Sequence, residues 1–248
     1  MALERRRVAG ALGAALLSLA PLPAAAGAVD LELVLAVDTS ASINDYEFRI
    51  QMEGYAAAFR HPDVHRAIDR AGDRGIAVAV VQWAGGGQPV LAVGWMLLRD
   101  ADGAGRFAER IAAAARHDSG DLTAIGDAIL FSLARLADNR FESVRRTIDI
   151  SADGRSNMGA FPGSARDRAV AAGVTVNGLV IMRRAALDLY FKRYVTGGTG
   201  SFIERVDDFR EVPDAVLRKL IREIEGLPIA RRGPLPSRDP PLPALARR

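Results

Sequence analysis

Between residues 31 and 225 this chain alternates between two hydrophobic periods, and that alternation limits what it can fold into. Strand-like runs are LELVLAV (31–37), IAVAVVQWA (76–84), PVLAVGWML (89–97), RTIDIS (146–151), VTVNGLVI (174–181) and SFIERV (201–206). Helix-like runs lie between most of them, at 45–60, 103–116, 124–137, 163–173 and 207–225. Several strands are apolar throughout instead of every second residue, the pattern of a sheet covered on both faces. The reading is an α/β domain: a doubly wound, mostly parallel six-stranded sheet in the order 3-2-1-4-5-6, with helices on both faces. GGGQ between the second and third runs is a hairpin signal, so the 89–97 strand is expected antiparallel at one edge. The 31–37 strand is expected to be central and buried. Trp83 and Trp95, in the hairpin strands, are expected in the core.

Both ends differ from this body. Arg5, Arg6 and Arg7 precede an apolar stretch broken by Pro21 and Pro23, and Ala26 and Ala28 stand in an A-x-A arrangement before Val29. That pattern predicts a secretory signal peptide over 1–28, cleavage near Val29, no membrane span afterwards, and a periplasmic or secreted protein. Residues 227–248, rich in Pro and Arg and without periodicity, read as a disordered tail, leaving one domain at 29–226. The formal net charge is +3, but residues 1–28 contribute +2 and residues 227–248 contribute +4, which leaves −3 on 29–226. The body therefore has no basic footprint for nucleic acid. The absence of cysteine excludes disulfides, thiolate metal sites and cysteine nucleophiles.

In doubly wound sheets, ligands bind outside the carboxyl ends of the strands. The first strand ends in Asp38-Thr39-Ser40-Ala41-Ser42, and the fourth runs into Asp153-Gly154. Thr123 stands before the 124–137 helix. These segments would bring two carboxylates and three hydroxyls to one end of the sheet. All are hard oxygen donors, which suit Mg²⁺ or Mn²⁺ far better than zinc or copper. None of the three histidines, His61, His65 and His117, follows a strand. Each segment also has a plainer reading: Ser40, Ser42 or Thr123 as helix caps, and Asp153-Gly154 as a turn. Asn44-Asp45 reads as the start of the first helix. Asp118, Ser119, Asp121 and Asn157 are candidates to flank the site. TGGTGSF (196–202) lacks the Gly-Lys-Ser/Thr ending of a phosphate loop and reads as a tight turn into the last strand.

The D-x-S-x-S of Asp38, Ser40 and Ser42, with LTAIGDAI around Thr123 and ISADG around Asp153 in that order, resembles the von Willebrand factor type A domain. Nearly all of 29–226 is covered. The likeness is nearest to an uncharacterised, exported bacterial group of such proteins, which share the VDLELVLAVDTSASI opening and the TGGTGSF segment. The resemblance implies a metal-ion-dependent adhesion site. Ser40, Ser42 and Thr123 would be direct ligands, and Asp38 and Asp153 the acidic partners, acting through water or directly. It implies a binding module, not an enzyme, that grips an acidic side chain of a protein ligand through Mg²⁺ or Mn²⁺. The alternative is a Mg²⁺-dependent phosphohydrolase with Asp38 as nucleophile. That chemistry wants a second acid two residues on, where this chain has Ser40. It also wants a lysine near the phosphate, and the only two, Lys192 and Lys219, come late in the chain.

Overall fold

The computed structural model describes residues 27–117 and 120–226. The expected leader, apart from Gly27 and Ala28, and the expected tail lie outside the described residues, as do Asp118 and Ser119. Six strands form the main sheet: β2 (Leu31–Asp38), β3 (Ile76–Trp83), β4 (Val90–Leu98), β6 (Arg146–Ala152), β7 (Val174–Ile181) and β8 (Ile203–Val206). Their order is β4-β3-β2-β6-β7-β8. The β3–β4 pair is antiparallel and every other pair is parallel. This is the topology expected from the sequence. A separate two-residue pairing joins β1 (Gly27–Ala28) to β5 (Phe141–Glu142), so two residues of the expected leader contact the domain.

The helices explain why β2 is apolar from Leu33 to Val37. Leu31, Leu33, Leu35 and Val37 pack toward α1 (Asp45–Arg60), α3 (Ala101–Ala113) and α7 (Val212–Glu225). Val34 and Ala36 face the opposite layer, where α4 (Ile125–Ala137) and α5 (Pro162–Ala171) supply Ile125, Ile129, Ala165 and Ala169. Each residue of β2 and β3 is buried. Trp83 is fully buried in the α4 layer, whereas Trp95, on the edge strand, is half-buried.

Two helical segments were not foreseen either. Pro62 looks like a stop after α1, but it occupies the first turn of α2 (Pro62–Ala71), where its missing N–H costs nothing. His61 caps that helix, its Nδ1 accepting from the Asp63 N–H at 3.1 Å. A short helix, α6 (Leu187–Tyr190), runs into a π-helical turn over Phe191–Val195 and plugs the α4 layer with Phe191 and Val195. The expected 207–225 helix divides into a 3-10 turn at Phe209–Glu211 and α7. In the TGGTGSF segment, Gly197 bridges to Val176, and Gly198 and Gly200 have φ of +91° and +71°. It is a turn leading to β8, as read.

Candidate metal centre

Parallel register sets the site. Val37 of β2 is paired with Ser151 of β6, so Asp38 ends one central strand level with Ala152, one residue before Asp153 on its neighbour. Beyond Asp38 the chain folds tightly. Ser40 N–H donates to Asp38 Oδ1 at 2.8 Å, and Ile43 N–H donates to Ser40 O at 3.0 Å. Thr39 is tied to β3, both its N–H (2.8 Å) and its hydroxyl (3.1 Å) donating to Trp83 O. Arg116 grips the loop from outside, donating to the carbonyls of Thr39 at 3.0 Å and Ile43 at 2.7 Å and to Asp45 Oδ1 at 2.7 Å.

This folding brings the side chains together. Ser40 and Ser42 hydroxyls lie 3.2 Å apart, and Ser42 donates to Asp153 Oδ1 at 2.6 Å. Asp38, Ser40 and Asp153 are buried, and Ser42 is exposed. Thr123 is held beside them by two loops. The GGGQ hairpin turn bridges Gly85 to Leu122 through a reciprocal backbone pair. From the other side, Asn157 Oδ1 accepts from Thr123 N–H at 2.8 Å, while Asn157 N–H donates to Thr123 O at 2.9 Å. Thr123 Oγ1 lies 3.8 Å from where a side chain on Gly154 would begin.

The capping alternatives do not describe this site. Asn44 caps α1, its Oδ1 accepting from Tyr46 and Glu47 N–H, while Glu47 returns a bond to Asn44 N–H. The first turn of α4 lacks a cap from its own N-cap residue, and Ser156 Oγ accepts from Ile125 N–H instead, at 3.2 Å. Ser40, Ser42 and Thr123 are therefore not spent on helix ends. Asp121 contributes its carbonyl, which accepts from Ala41 N–H at 3.2 Å.

Gly126, the second residue of α4, is required by close approach. A Cβ there would sit 2.0 Å from Ala160 O, in the loop that carries Asp153 and Asn157. Gly126→Ala gains helix propensity but must push that loop away. The expected net result is a loss of about 1–3 kcal/mol in chemical denaturation, with weakened retention of any ligand of the loop. An unchanged midpoint would show that the loop yields freely.

The electrostatics are those of an acidic site short of positive charge. Asp38 Oδ2 is buried without a hydrogen-bond partner. Burial pushes the Asp38 carboxyl up to about 7; nearby Asp153 adds to the rise, while bonds from Ser40 and the charge of Arg116 oppose it. Burial also raises Asp153, against the Ser42 hydrogen bond. Arg183 reaches in directly: its Nε lies 3.1 Å from Asp153 Oδ2, and its other arm pairs with Glu47 Oε1. Neither Arg116 nor Arg183 was anticipated. Arg183 follows β7, so its place after a parallel strand is the signal that could have flagged it. The histidines are otherwise engaged: His61 caps α2, His65 Nε2 meets Phe59 O, and the backbone N–H of His117 donates to Gln82 Oε1. Among the described residues no cluster of three or more His, Asp or Glu suited to a metal exists, so any ion here would depend on the hydroxyls.

A doubly wound sheet with hydroxyls and two aspartates on these strand-end loops defines a von Willebrand A-like domain. Residues 28–228 match the family described as "Protein of unknown function (DUF1194)", and the chain belongs to that family. No curated protein matches the sequence. Among solved structures, proximal thread matrix protein 1 from the mussel byssus, with a zinc-occupied MIDAS motif, is similar at TM-score 0.61 and 18% identity, over 82% of this chain and 50% of that one. A von Willebrand factor type A protein from Catenulispora acidiphila is similar at TM-score 0.55 and 16% identity, over 78% of this chain and 42% of that one. The SpRpn10 VWA domain is similar at TM-score 0.53 and 11% identity, over 77% of this chain and 95% of that one. The chain thus spans about half the length of the mussel protein. These likenesses establish the fold.

Proposed function

We propose that this protein is an exported binding module that engages an acidic side chain of a partner protein through a divalent cation. Asp38, Ser40, Ser42, Thr123 and Asp153 would hold the cation. The observation that carries this reading is Asp38 Oδ2, an orphaned carboxylate oxygen buried beside hydroxyls that no helix end uses. A buried polar atom without a partner is costly, and one at a strand end is a candidate for an ion. The donor set fits: five oxygen ligands, three of them neutral, suit Mg²⁺ or Mn²⁺. A cation so held remains under-neutralised and offers its charge to a carboxylate.

The surroundings suit a protein partner. Leu122 and Met158, which flank the Thr123 loop, are 43% exposed each, Tyr46 on the first turn of α1 is 60% exposed, and Phe161 before α5 is 56% exposed. Exposed apolar side chains grouped at one end of a domain are characteristic of interaction sites. The phosphohydrolase alternative gains nothing from the geometry. Ser40 stands where the second acid would be, and Lys219 is sealed in the core, 2.7 Å from Asp149 Oδ1. Export rests on the Arg5–Arg7 cluster, the apolar run and the small residues before Val29. Among the described residues no helix is long and apolar enough to cross a membrane.

Calorimetric titration of Mg²⁺, Mn²⁺ and Zn²⁺ tests the reading, zinc being included because the mussel protein's motif holds it. Binding to the wild type should raise the melting temperature, because the ion binds the folded state. Ser40→Ala should weaken binding by at least about tenfold, as expected when a group that builds a metal site is lost, with the metal-free melting temperature little changed. Equal affinity in the two proteins would sink the assignment.

A further inference from the structure

We propose that Arg183 is a movable counter-charge that selects carboxylate ligands: it neutralises Asp153 when the site holds no cation and turns to the ligand's carboxylate when one is bound. The inference rests on the metal-centre reading above and assigns a role to a residue which that reading leaves out.

The geometry places Arg183 between two acids and an aromatic ring. Its Nε approaches Asp153 Oδ2 at 3.1 Å, its Nη2 pairs with Glu47 Oε1, and its guanidinium lies over the Phe209 ring, 5.1 Å from the centroid. Asp153 is fully buried at its side chain, while that of Arg183 is 41% exposed. One end of the contact is therefore fixed by the core and the other is free to swing into solvent. The contact with Asp153 is an ion pair without hydrogen-bond geometry, since Asp153 Oδ2 has no hydrogen-bond partner. No hydrogen bond is lost when the guanidinium leaves it, and a cation bound at Asp153 would replace its charge. Phe209 and Glu47 provide a pivot: the ring face holds a cation, and Glu47 is itself anchored at the start of α1 through Asn44.

A cation on Asp153 makes the Arg183 charge surplus at that oxygen, and the two repel. The guanidinium is then a fork of donors beside the position an incoming carboxylate would take. Arginine recognises carboxylates through paired donors, which an ammonium cannot reproduce. Arg184 also acts on Asp153 electrostatically, so the side of the site that follows β7 is cationic. Arg183 thus lowers affinity for the bare ion and raises affinity for a carboxylate presented to the loaded site.

The test is calorimetric titration of Mg²⁺ into wild type, Arg183→Gln and Arg183→Lys, with and without acetate as the carboxylate probe. Removing one charge close to a divalent ion in a water-accessible site should tighten Mg²⁺ binding by about tenfold in Arg183→Gln. Acetate should tighten Mg²⁺ binding by a larger factor in wild type than in Arg183→Gln, because coupling between two ligands is reciprocal. Arg183→Lys should keep the wild-type Mg²⁺ affinity and lose part of the acetate effect. An equal acetate response in wild type and Arg183→Gln overturns the proposal, as does unchanged Mg²⁺ affinity in Arg183→Gln, and either leaves the metal centre standing. Failure of the wild type to bind Mg²⁺ overturns both.

Discussion

Lys219→Met is expected to cost about 3–5 kcal/mol of folding stability, a large part of what a single domain has. Lys219 projects from α7 into the core, where its ammonium pairs with Asp149 Oδ1 of β6 at 2.7 Å and with Glu223 one turn along its own helix. All three side chains are essentially inaccessible. Asn177 of β7 donates to Glu223 Oε1 at 2.9 Å, and Tyr55 of α1 points its hydroxyl at Asp149 from 3.5 Å. Burial works against the ammonium, but the two carboxylates outweigh it and its pKa is raised. Burial lifts Glu223 to about 7, with Asp149 adding to the rise and Lys219 opposing it. Removing the lysine leaves two carboxylates facing each other without a cation. Breaking one partner out of such a group costs far more than replacing the whole group by apolar residues. Glu223 then binds a proton more readily in the folded state than in the unfolded one, so the variant loses stability as pH rises through neutrality. Urea unfolding at pH 5 and pH 8 reads both effects. A deficit below about 1 kcal/mol at pH 8 would mean that the network contributes charge without stability.

How far the sequence revealed the molecule depended on whether a signal was local. β2 was legible because a strand covered on both faces is mostly apolar, and Leu33 to Val37 is; Glu32 is the exception, buried near the start of the strand with Asn139 Nδ2 donating to its Oε2 at 3.0 Å. Asp38, Ser40 and Ser42 were legible because they abut that strand, and parallel register then puts Asp153 beside them. α2 was missed because no helix-like run was recognised between 60 and 76, although Pro62 is favourable at a helix start. The plainer readings of the hydroxyls could not be dismissed from sequence, since the cap of α4 is Ser156, 31 residues downstream. Arg183 and Glu47 are 136 residues apart, and only the closed fold shows that they meet beside Asp153. Arg116 likewise has no motif. It acts on carbonyls, which any sequence supplies, and only the tertiary path of the loop brings Thr39, Ser40 and Ile43 round its guanidinium.

Asp38→Asn is expected to abolish the response to divalent ions and, without metal, to stabilise the protein above about pH 7. The sign follows from the direction of the shift. Burial raises the Asp38 carboxyl to about 7 in the folded state from an ordinary 3.8. The folded protein therefore holds a proton that the unfolded chain has already released, and stability contributed by this group is lost as pH rises from about 4 to about 7. The loss is on the order of 4–5 kcal/mol at most, about 1.4 kcal/mol for each pH unit between the two values. Asparagine keeps the shape and an oxygen for the Ser40 N–H, and it carries no charge to desolvate. The metal-free wild type should thus melt lower at pH 8 than at pH 5 by more than Asp38→Asn does. Protons and a divalent ion compete for the same carboxylate, so Mg²⁺ affinity should climb with pH up to about 7 and then level. Saturating Mg²⁺ should flatten the pH dependence of the wild-type melting temperature and leave that of Asp38→Asn as it was. Melting curves for both proteins across pH 4 to 9, with Mg²⁺ and with chelator, decide it. If the chelated wild type shows no greater fall than Asp38→Asn, the buried oxygen is already satisfied by water, and the loop after β2 has no need of an ion.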